Sequence, residues 1–172
     1  MDLNKLKEKS LIDSAVIVLY ERSSDSLILT KRSEHLQAHP GEICFPGGTW
    51  EEGDYDLFAT ALRELHEELG ITSDRVSLIK ELKTQKTLLG TIIHPWLASI
   101  ESIDPYYLNH EEVTDLICIP MSLVQLPQNY KDIIVRRGRF RFKSCEFVFK
   151  DNWVWGATAK IMKQLLIKDP FP

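Results

Sequence analysis

A helix bounded by glycines and carrying two chemically different faces is the strongest constraint that this sequence sets. Apolar residues recur at the helical period over Asp56–Leu69, and Gly70 follows where a helix commonly ends on a left-handed residue. The residues predicted to form the apolar face are Leu57, Phe58, Ala61, Leu62, Leu65 and Leu69. Because such a face is stable only when buried, the helix is expected to pack against another layer.

The neighbouring face of this helix carries three glutamates. Glu64, Glu67 and Glu68 are spaced i, i+3 and i+4, so their side chains share one side of the helix. Their repulsion costs about 0.2–0.5 kcal/mol per pair on an exposed helix, and Arg63 relieves only part of it. Two interpretations are open: a solvated acidic surface, or a site for a hard divalent cation that takes oxygen ligands. The upstream pair Gly47–Gly48 favours the cation site, because a glycine loop can approach a metal closely.

The order of these residues resembles the Nudix box, whose usual pattern is G-x5-E-x7-R-E-U-x-E-E-x-G-U, with U an aliphatic residue. The second half of the pattern is complete from Arg63 to Ile71. The first half departs twice, because Asp54 stands where a glutamate is usual and the distance to Arg63 is one residue longer. The same departure is expected of one Nudix subgroup, the coenzyme A pyrophosphatases.

A second stretch, Leu27–Gly48, resembles the motif of that subgroup, L-L-T-x-R-[SA]-x3-R-x3-G-x3-F-P-G-G. The matching residues are Leu27, Leu29, Thr30, Arg32, Ser33, Gly41, Phe45, Pro46, Gly47 and Gly48. Gln37 stands where the subgroup has its second arginine, and glutamine lacks the permanent charge with which arginine binds a phosphate. With Asn109–Val113 and Trp155–Ala159, the resemblance covers roughly residues 14–167.

The resemblance implies a metal-dependent hydrolase in which glutamates carry the chemistry. Glu64, Glu68 and Glu67 are the expected ligands of Mg²⁺ or Mn²⁺. A bound cation of this kind neutralises diphosphate oxygens and lowers the pKa of water. Glu64, Glu67 and Glu112 form the expected catalytic set, with either Glu67 or Glu112 as the general base and Glu111 as a weaker candidate.

The expected contacts with the substrate come from the segments before the helix. Arg32 is predicted to contact a substrate phosphate, although its residue type alone fits a surface charge equally well. Gly47 and Gly48 are predicted to line the substrate site. The resemblance also implies that a backbone carbonyl of this pair completes the metal site. Asp54 and Arg63 are expected to form a structural ion pair.

Short apolar segments surround the helix and indicate an α/β fold with a mixed sheet. The predicted strands are Ala15–Tyr20, Leu27–Thr30, Val76–Leu82, Thr91–Ile100 and Leu116–Ile119, with a short helix at Met121–Leu126. Pro95 suggests an edge strand or a bulge, and His35–Pro46 is predicted to be a loop. The expected architecture is a Nudix-type α/β/α sandwich in a single domain, residues 1–172, with its core at about residues 14–167.

The C-terminal third is predicted to add two strands within Ile133–Phe149 and a closing helix over Ala157–Ile167. Arginine and phenylalanine alternate over Arg137–Lys143, which indicates a strand with one cationic and one apolar face. The basic residues Arg136, Arg137, Arg139 and Arg141 fit a solvated surface, or a contact with the 3′-phosphate of coenzyme A. Trp153 and Trp155 are predicted to anchor the last helix to the core, and an alternative is that they stack on adenine.

The composition limits the partners that this chain can have. The formal net charge of −4 disfavours binding to nucleic acid or to an anionic membrane through bulk charge. The three cysteines, Cys44, Cys118 and Cys145, are far apart and indicate free thiols in a reducing compartment. No secretory signal or apolar membrane segment is recognisable, so a cytoplasmic location is expected. The sequence leaves monomer and homodimer open.

Three hypotheses for function follow. The first is a Mg²⁺- or Mn²⁺-dependent diphosphohydrolase that cleaves coenzyme A or its derivatives to 3′,5′-ADP and 4′-phosphopantetheine. The second is a Nudix pyrophosphatase for another nucleoside diphosphate derivative, such as ADP-ribose or a dinucleotide. The third is a non-catalytic module that senses nucleotides on a Nudix fold.

Overall fold

An eight-stranded mixed sheet lies between two other layers in a computed structural model of the chain, which describes residues 13–87 and 90–166. Its strands are β1 (Asp13–Glu21), β2 (Ser26–Arg32), β3 (Ile43–Cys44), β4 (Gly47–Thr49), β5 (Ser77–Glu81), β6 (Gln85–Lys86), β7 (Ile92–Ile100) and β8 (Val113–Pro120). A three-stranded sheet contains β9 (Tyr130–Arg137), β10 (Phe140–Phe149) and β11 (Asn152–Trp155). The helices are α1 (Leu57–Leu69), α2 (Met121–Val124) and α3 (Gly156–Lys163).

Strand β1 is the organising strand of the large sheet. It pairs in parallel with β7 along its whole length, from Asp13↔Ile92 to Glu21↔Ile100. Its other edge is shared, because its last residues pair with β2 and Ser14–Val16 pair with β4. The chain therefore leaves β1 through β2 and returns to it at β4. This return places the Gly47–Gly48 pair beside the first residues of β1, the central strand.

The two faces of the large sheet are buried by different elements. Ala15, Ile17 and Leu19 of β1 lie in a core with α1, whereas Val18 lies in a second core. The residues that α1 contributes to the first core are Ala61, Leu65 and Leu69, with Leu57, Phe58 and Leu62 partly buried beside them. The second core contains buried residues of α3, β10 and β11. A mixed sheet between helical layers confirms the predicted α/β sandwich.

Helix α1 has the boundaries that its sequence predicts, to within one residue. Asp56 is its N-cap, and the Asp56 side chain accepts a hydrogen bond of 2.8 Å from the backbone N–H of Ala59. Gly70 ends the helix with a φ of 67°, a conformation that glycine adopts without the steric cost of a Cβ atom. Helix α3 is followed by a 3-10 turn at Gln164–Leu166, and the predicted helix end at Ile167 lies outside the described residues.

Of the two alternatives predicted for Pro95, an edge strand or a bulge, the edge strand is wrong, and the ladder of β5 with β7 is irregular between Leu78 and Lys80. Strand β7 is internal, with β1 on one side and both β5 and β6 on the other. Pro95 lies opposite the break between β5 and β6, and its carbonyl accepts a hydrogen bond of 2.8 Å from the N–H of Leu82. A proline is tolerated there because its missing N–H faces the edge at which the neighbouring strand is interrupted.

The C-terminal region differs from its prediction in three respects. The alternating segment Arg137–Lys143 is a hairpin rather than one strand, because Gly138 turns the chain between β9 and β10 with a φ of 58°. Strand β11 follows β10 and was not predicted. Outside this region, β3 was not predicted either, because it lies within the predicted loop His35–Pro46. Trp153 is half exposed and does not anchor the last helix, whereas Trp155 directly precedes α3.

Two further observations concern the chain as a whole. Cys44, Cys118 and Cys145 are free, which confirms the prediction of unpaired thiols. Across residues 13–87 and 90–166, the longest helices fall short of the length and apolar character that crossing a membrane requires.

A partly buried ion pair attaches the loop after β4 to α1. The guanidinium of Arg63 binds both carboxylate oxygens of Asp54, at 3.0 Å and 3.1 Å, and donates to the carbonyl of Thr49 at 3.0 Å. The Asp54 side chain is only 6% exposed and also accepts a bond from the Thr60 hydroxyl. Hydrogen bonds from Arg63 hold the pKa of Asp54 at about 2, well below its usual range. This bidentate geometry agrees with the predicted structural pair.

Asp54→Asn is expected to lower the free energy of unfolding at pH 7 by about 2 kcal/mol, because it weakens two charge-assisted hydrogen bonds. The depressed pKa of Asp54 means that its contribution is complete above the pKa of an unfolded aspartate and is lost as the pH falls towards about 2. Urea titrations from pH 6 to pH 2 should therefore show the wild type and the variant converging in acid. Asp74→Asn, on an exposed turn, is the matched control and should change little. A wild-type advantage that stays constant over this range would contradict the expectation.

Candidate metal centre

Three carboxylates converge at the C-terminal half of α1. Glu64 and Glu68 project from successive turns of the helix, and Glu112 comes from the segment that precedes β8. One oxygen from each can be chosen so that all three lie within 4.8 Å of one another. This group, the Glu64–Glu68–Glu112 cluster, is the one set of three or more such side chains found at this spacing in the part of the chain that the structure describes.

Glu68 is the most deeply buried member of the cluster, with 3% of its surface exposed. Its carboxylate accepts hydrogen bonds from the backbone N–H of Gly47 at 3.2 Å and from the Thr30 hydroxyl at 3.3 Å. Burial, with a smaller effect of the nearby carboxylates of Glu64 and Glu112, raises the pKa of Glu68 to about 8 despite the hydrogen bond from Gly47 and the charge of Arg32. An added positive charge would therefore be strongly favoured here.

Glu64 lies against the glycine pair. A Cβ atom on Gly48 would collide with the Glu64 carboxylate, so this position requires glycine for the carboxylate to stay where it is. Arg63 donates to Glu64 at 2.9 Å, which offsets only part of the effect of burial, and the pKa of Glu64 is raised. A Cβ atom on Gly47 would in turn collide with the Ala15 carbonyl of β1.

Glu112 is positioned by a tight turn that contacts both α1 and β2. The Asn109 side chain donates to the Glu112 carboxylate at 3.2 Å, and the Asn109 backbone N–H donates to the carbonyl of Glu68 at 2.9 Å. The N–H of Ser33 donates to the carbonyl of Glu112 at 2.8 Å. Asn109 and Thr30 hold the cluster together, and sequence reasoning assigned neither a role. The position of Asn109 three residues before Glu112 was the signal available for it.

The remaining predicted acids lie apart from the cluster. The Glu67 side chain is 46% exposed and binds Arg63 at 3.1 Å. Glu111 is exposed, and its backbone N–H donates to the Asn109 side chain. The structure thus groups Glu112 with Glu64 and Glu68, where the sequence predicted Glu67 as the third ligand. The roles of Glu67 as ligand or base stay predictions.

Arg32 and the glycine pair lie around the cluster, and Gln37 is exposed in the adjoining loop. The Nε of Arg32 donates to the carbonyl of Ala38 at 3.3 Å, and its positive charge counteracts the rise in the pKa of Glu68. Gln37 has an exposed side chain. Arg32 is thus close enough to the cluster to influence its charge, and its contact with a substrate phosphate stays a prediction.

The donor set fits a hard divalent cation. Three carboxylates supply oxygen ligands of the kind that Mg²⁺ and Mn²⁺ take in proteins. A sulfur also lies beside the cluster, because the thiol of Cys44 is 4.0 Å from the Thr30 hydroxyl that contacts Glu68. Burial and the neighbouring Glu68 raise the pKa of Cys44 to about 11, so this side chain stays a neutral thiol at pH 7 and offers no soft thiolate ligand.

The amino-acid sequence matches a known family and several individual proteins. Residues 11–118 match the NUDIX domain. The uncharacterized Nudix hydrolase NudL of Enterobacter sp. (strain 638) is 31% identical over 155 residues, which span 90% of this chain and 81% of that protein. NudL of Yersinia pestis (strain Pestoides F) is 30% identical over 152 residues, which span 88% of this chain and 76% of that protein.

Solved structures share the fold. An Ap4A hydrolase of C. elegans, in a binary complex, superposes with a TM-score of 0.55 at 22% identity, covering 63% of this chain and 80% of that chain. The Nudix domain of Shewanella oneidensis NrtR, complexed with ADP ribose, gives a TM-score of 0.55 at 20% identity, covering 74% of this chain and 83% of that chain. At these identities the likeness concerns the fold alone. Together, the domain match and the NudL relatives show that this chain belongs to the Nudix hydrolase family.

Proposed function

We propose that this Nudix hydrolase is a Mg²⁺- or Mn²⁺-dependent diphosphohydrolase that cleaves coenzyme A or its derivatives to 3′,5′-ADP and 4′-phosphopantetheine. The observation that carries the proposal is the Glu64–Glu68–Glu112 cluster, whose carboxylates converge within 4.8 Å beside the Gly47–Gly48 backbone. The buried carboxylate of Glu68, beside the partly buried carboxylates of Glu64 and Glu112, is costly unless a cation joins them. A diphosphate, in turn, needs such a cation to approach an acidic site.

The substrate class rests on how the Leu27–Gly48 motif surrounds this cluster. Thr30 and Gly47 both donate to the Glu68 carboxylate, and Ser33 holds the backbone of Glu112. Arg32 lies close enough to lower the pKa of Glu68. The residues that resemble the coenzyme A pyrophosphatase motif are therefore residues that build the site. This arrangement supports assigning that motif to substrate recognition.

In this proposal each group of the chain has a defined task. Glu64 and Glu68 would hold the cation, with Glu112 as a third ligand if Glu67 is the general base. On binding, the cation would neutralise diphosphate oxygens and lower the pKa of water. Arg32 binds a phosphate that faces the loop. Hydrolysis joins the oxygen of a water molecule to one phosphorus and breaks its bond to the bridging oxygen, which leaves with the second phosphate. Glu112 or Glu67 accepts the proton of that water as general base.

The Arg63 guanidinium has a positioning task. It binds Glu64, Glu67 and Asp54 simultaneously, so it fixes the direction of two glutamates relative to the loop after β4. Its own charge is permanent at any pH at which the protein is folded. Arg63 therefore orients the carboxylates of Glu64 and Glu67 without taking or giving a proton.

Hydrolysis of ADP-ribose or a dinucleotide is the second candidate, and Gln37 is the observation that favours it. Glutamine stands where the coenzyme A subgroup carries an arginine, and its exposed side chain provides no charge for a phosphate. Structural neighbours of this fold include an Ap4A hydrolase and a domain complexed with ADP ribose. All these substrates are adenine nucleotides with a diphosphate bond. The free thiols fit a cytoplasmic enzyme for either class.

Incubation of the pure protein with coenzyme A and Mn²⁺ should yield 3′,5′-ADP and 4′-phosphopantetheine in equal amounts, resolved by chromatography. A panel with acyl-coenzyme A, ADP-ribose and Ap4A at equal concentration ranks the substrates by kcat/KM. The coenzyme A class should lead the panel. A higher kcat/KM for ADP-ribose or Ap4A, or the absence of 3′,5′-ADP at every metal concentration, would contradict the proposed substrate.

Glu68→Gln should lower kcat more than 100-fold, because an amide oxygen is a weaker ligand for a hard cation than a carboxylate. Mn²⁺ should raise the thermal midpoint of the wild type but not of this variant, since only a ligand that binds the folded state stabilises it. Glu111→Gln is the matched control, because Glu111 is an exposed neighbour outside the cluster. Equal activity of Glu68→Gln and wild type would remove Glu68 from the mechanism.

Gly48→Ala tests the close approach of the loop to the metal centre. The added Cβ atom would displace the Glu64 carboxylate, so half-maximal activity should require at least about tenfold more Mn²⁺ than in the wild type. Thr49→Ala, at the exposed next position, should behave as the wild type. An unchanged Mn²⁺ requirement in Gly48→Ala would show that Glu64 is not needed where the structure places it.

A further inference from the structure

A cleft of about 340 Å³ lies where two sheets meet. Strand β3 contacts β11, the edge strand of the three-stranded sheet. One wall is formed by Pro40–Ile43, the segment that leads into β3, and the other by Asp151–Trp153 and Trp155. Lys31 of β2 also lines the cleft. The cleft is separate from the Glu64–Glu68–Glu112 cluster, none of whose members lines it.

Two tryptophans give the cleft an aromatic wall. The indole rings of Trp153 and Trp155 are stacked, with centroids 5.4 Å apart and an angle of 10° between their planes. The Nε1 of Trp153 donates to Glu146 at 2.9 Å, so its ring is held in one orientation although half of its surface is exposed. Since Trp153 does not serve the core, its fixed and accessible ring is available to a ligand. A planar heterocycle is the ligand that such a ring recognises best.

The polar groups of the cleft agree with a purine. Asn152 offers a donor and an acceptor side by side, which match the N6 and N7 edge of adenine. Within residues 13–87 and 90–166, the Asn152 side chain has no hydrogen-bond partner and the Lys31 ammonium has no ion-pair partner. Lys31 places one positive charge in a cleft that Glu42 and Asp151 also line, so the cleft suits an uncharged base and not the phosphates attached to it.

The cleft and the metal centre share one pair of strands. Thr30 of β2 pairs with Cys44 of β3 and contacts Glu68, whereas the next residue, Lys31, pairs with Ile43 and lines the cleft. Successive residues of a strand point to opposite sides, so the two sites lie on opposite sides of the same short ladder. Binding of one nucleotide to both sites requires that it pass around the end of this two-residue ladder.

We propose that this cleft binds the adenine base of the substrate, with Trp153 as the stacking surface and Asn152 as the group that reads the edge of the base. The inference rests on the proposed function only in that the substrate is an adenine nucleotide, which coenzyme A, ADP-ribose and Ap4A all are. The cleft is a specificity site, and the pantetheine arm lies elsewhere.

The test measures binding of 3′,5′-ADP to the full-length, metal-free chain by equilibrium dialysis, without turnover. Trp153→Ala should weaken binding about tenfold or more, the order expected for the loss of one base-stacking contact, and Trp153→Phe should retain most of it. Asn152→Ala should reduce the preference for adenosine over inosine 5′-monophosphate. Val148→Ala is the control, because Val148 is the exposed cross-strand neighbour of Trp153 and does not line the cleft. Thermal unfolding verifies that each variant is folded.

The results separate this inference from the proposed function. Binding of 4′-phosphopantetheine should be the same in wild type and Trp153→Ala. Equal binding of 3′,5′-ADP by these two proteins, no binding by the wild type, or a selective loss of 4′-phosphopantetheine in the variant would each overturn the adenine assignment. A wild type that binds 3′,5′-ADP through Trp153 but does not hydrolyse coenzyme A would overturn the coenzyme A proposal and leave the adenine cleft intact.

Discussion

The hydrogen bond from the Gly47 backbone to the buried carboxylate of Glu68 is the interaction on which the rest of the site depends. It exists because a residue without a side chain lets the loop lie directly against β1 and α1. Any larger residue at Gly47 would collide with the backbone of β1, and at Gly48 with Glu64. The backbone of Gly47–Gly48 therefore determines both the pairing of β4 with β1 and the positions of the Glu64 and Glu68 carboxylates.

Arg63 organises the charges between the loop after β4 and helix α1. Arg63 binds Asp54 in a bidentate manner and also reaches Glu64 and Glu67, so one guanidinium joins the loop to the helix. It lowers the pKa of Asp54, yet the pKa values of Glu64 and Glu68 remain raised by burial. The protein thus neutralises the structural acid and leaves the buried acids of the cluster short of positive charge, which is the condition a divalent cation satisfies.

Local patterns predicted the parts of the fold that local physics determines. The period of apolar residues and the flanking Asp56 and Gly70 were sufficient to place α1, because cap and periodicity agree. Pro95 did not predict an internal strand, because a proline fits there only opposite the break between β5 and β6. That break lies in other segments and cannot be predicted from the residues around Pro95. The alternation of arginine and phenylalanine predicted one strand. Gly138 was the signal in this segment that the residues belong to two strands joined by a turn.

The candidate site was predictable to the extent that its residues lie on one element. Glu64 and Glu68 follow from helical spacing, and Glu67 shares that spacing although its carboxylate turns to Arg63 instead. Glu112 joins them only through the turn at Asn109, a tertiary arrangement that spacing along the chain does not encode. The cleft beside the tryptophans of β11 exists only where two sheets meet. Its lining therefore cannot be predicted from the sequence of either strand alone.

The contacts of Glu68 also bear on how the chain folds. Its carboxylate binds residues that lie 38 and 21 positions earlier in the sequence, and its cluster partner Glu112 lies further along the chain. No single segment could hold a cation with these groups, so a cation bound here would stabilise only the chain with its native topology. Apparent metal affinity should consequently report on global stability, and a substitution in a distant core layer would weaken it without touching a ligand.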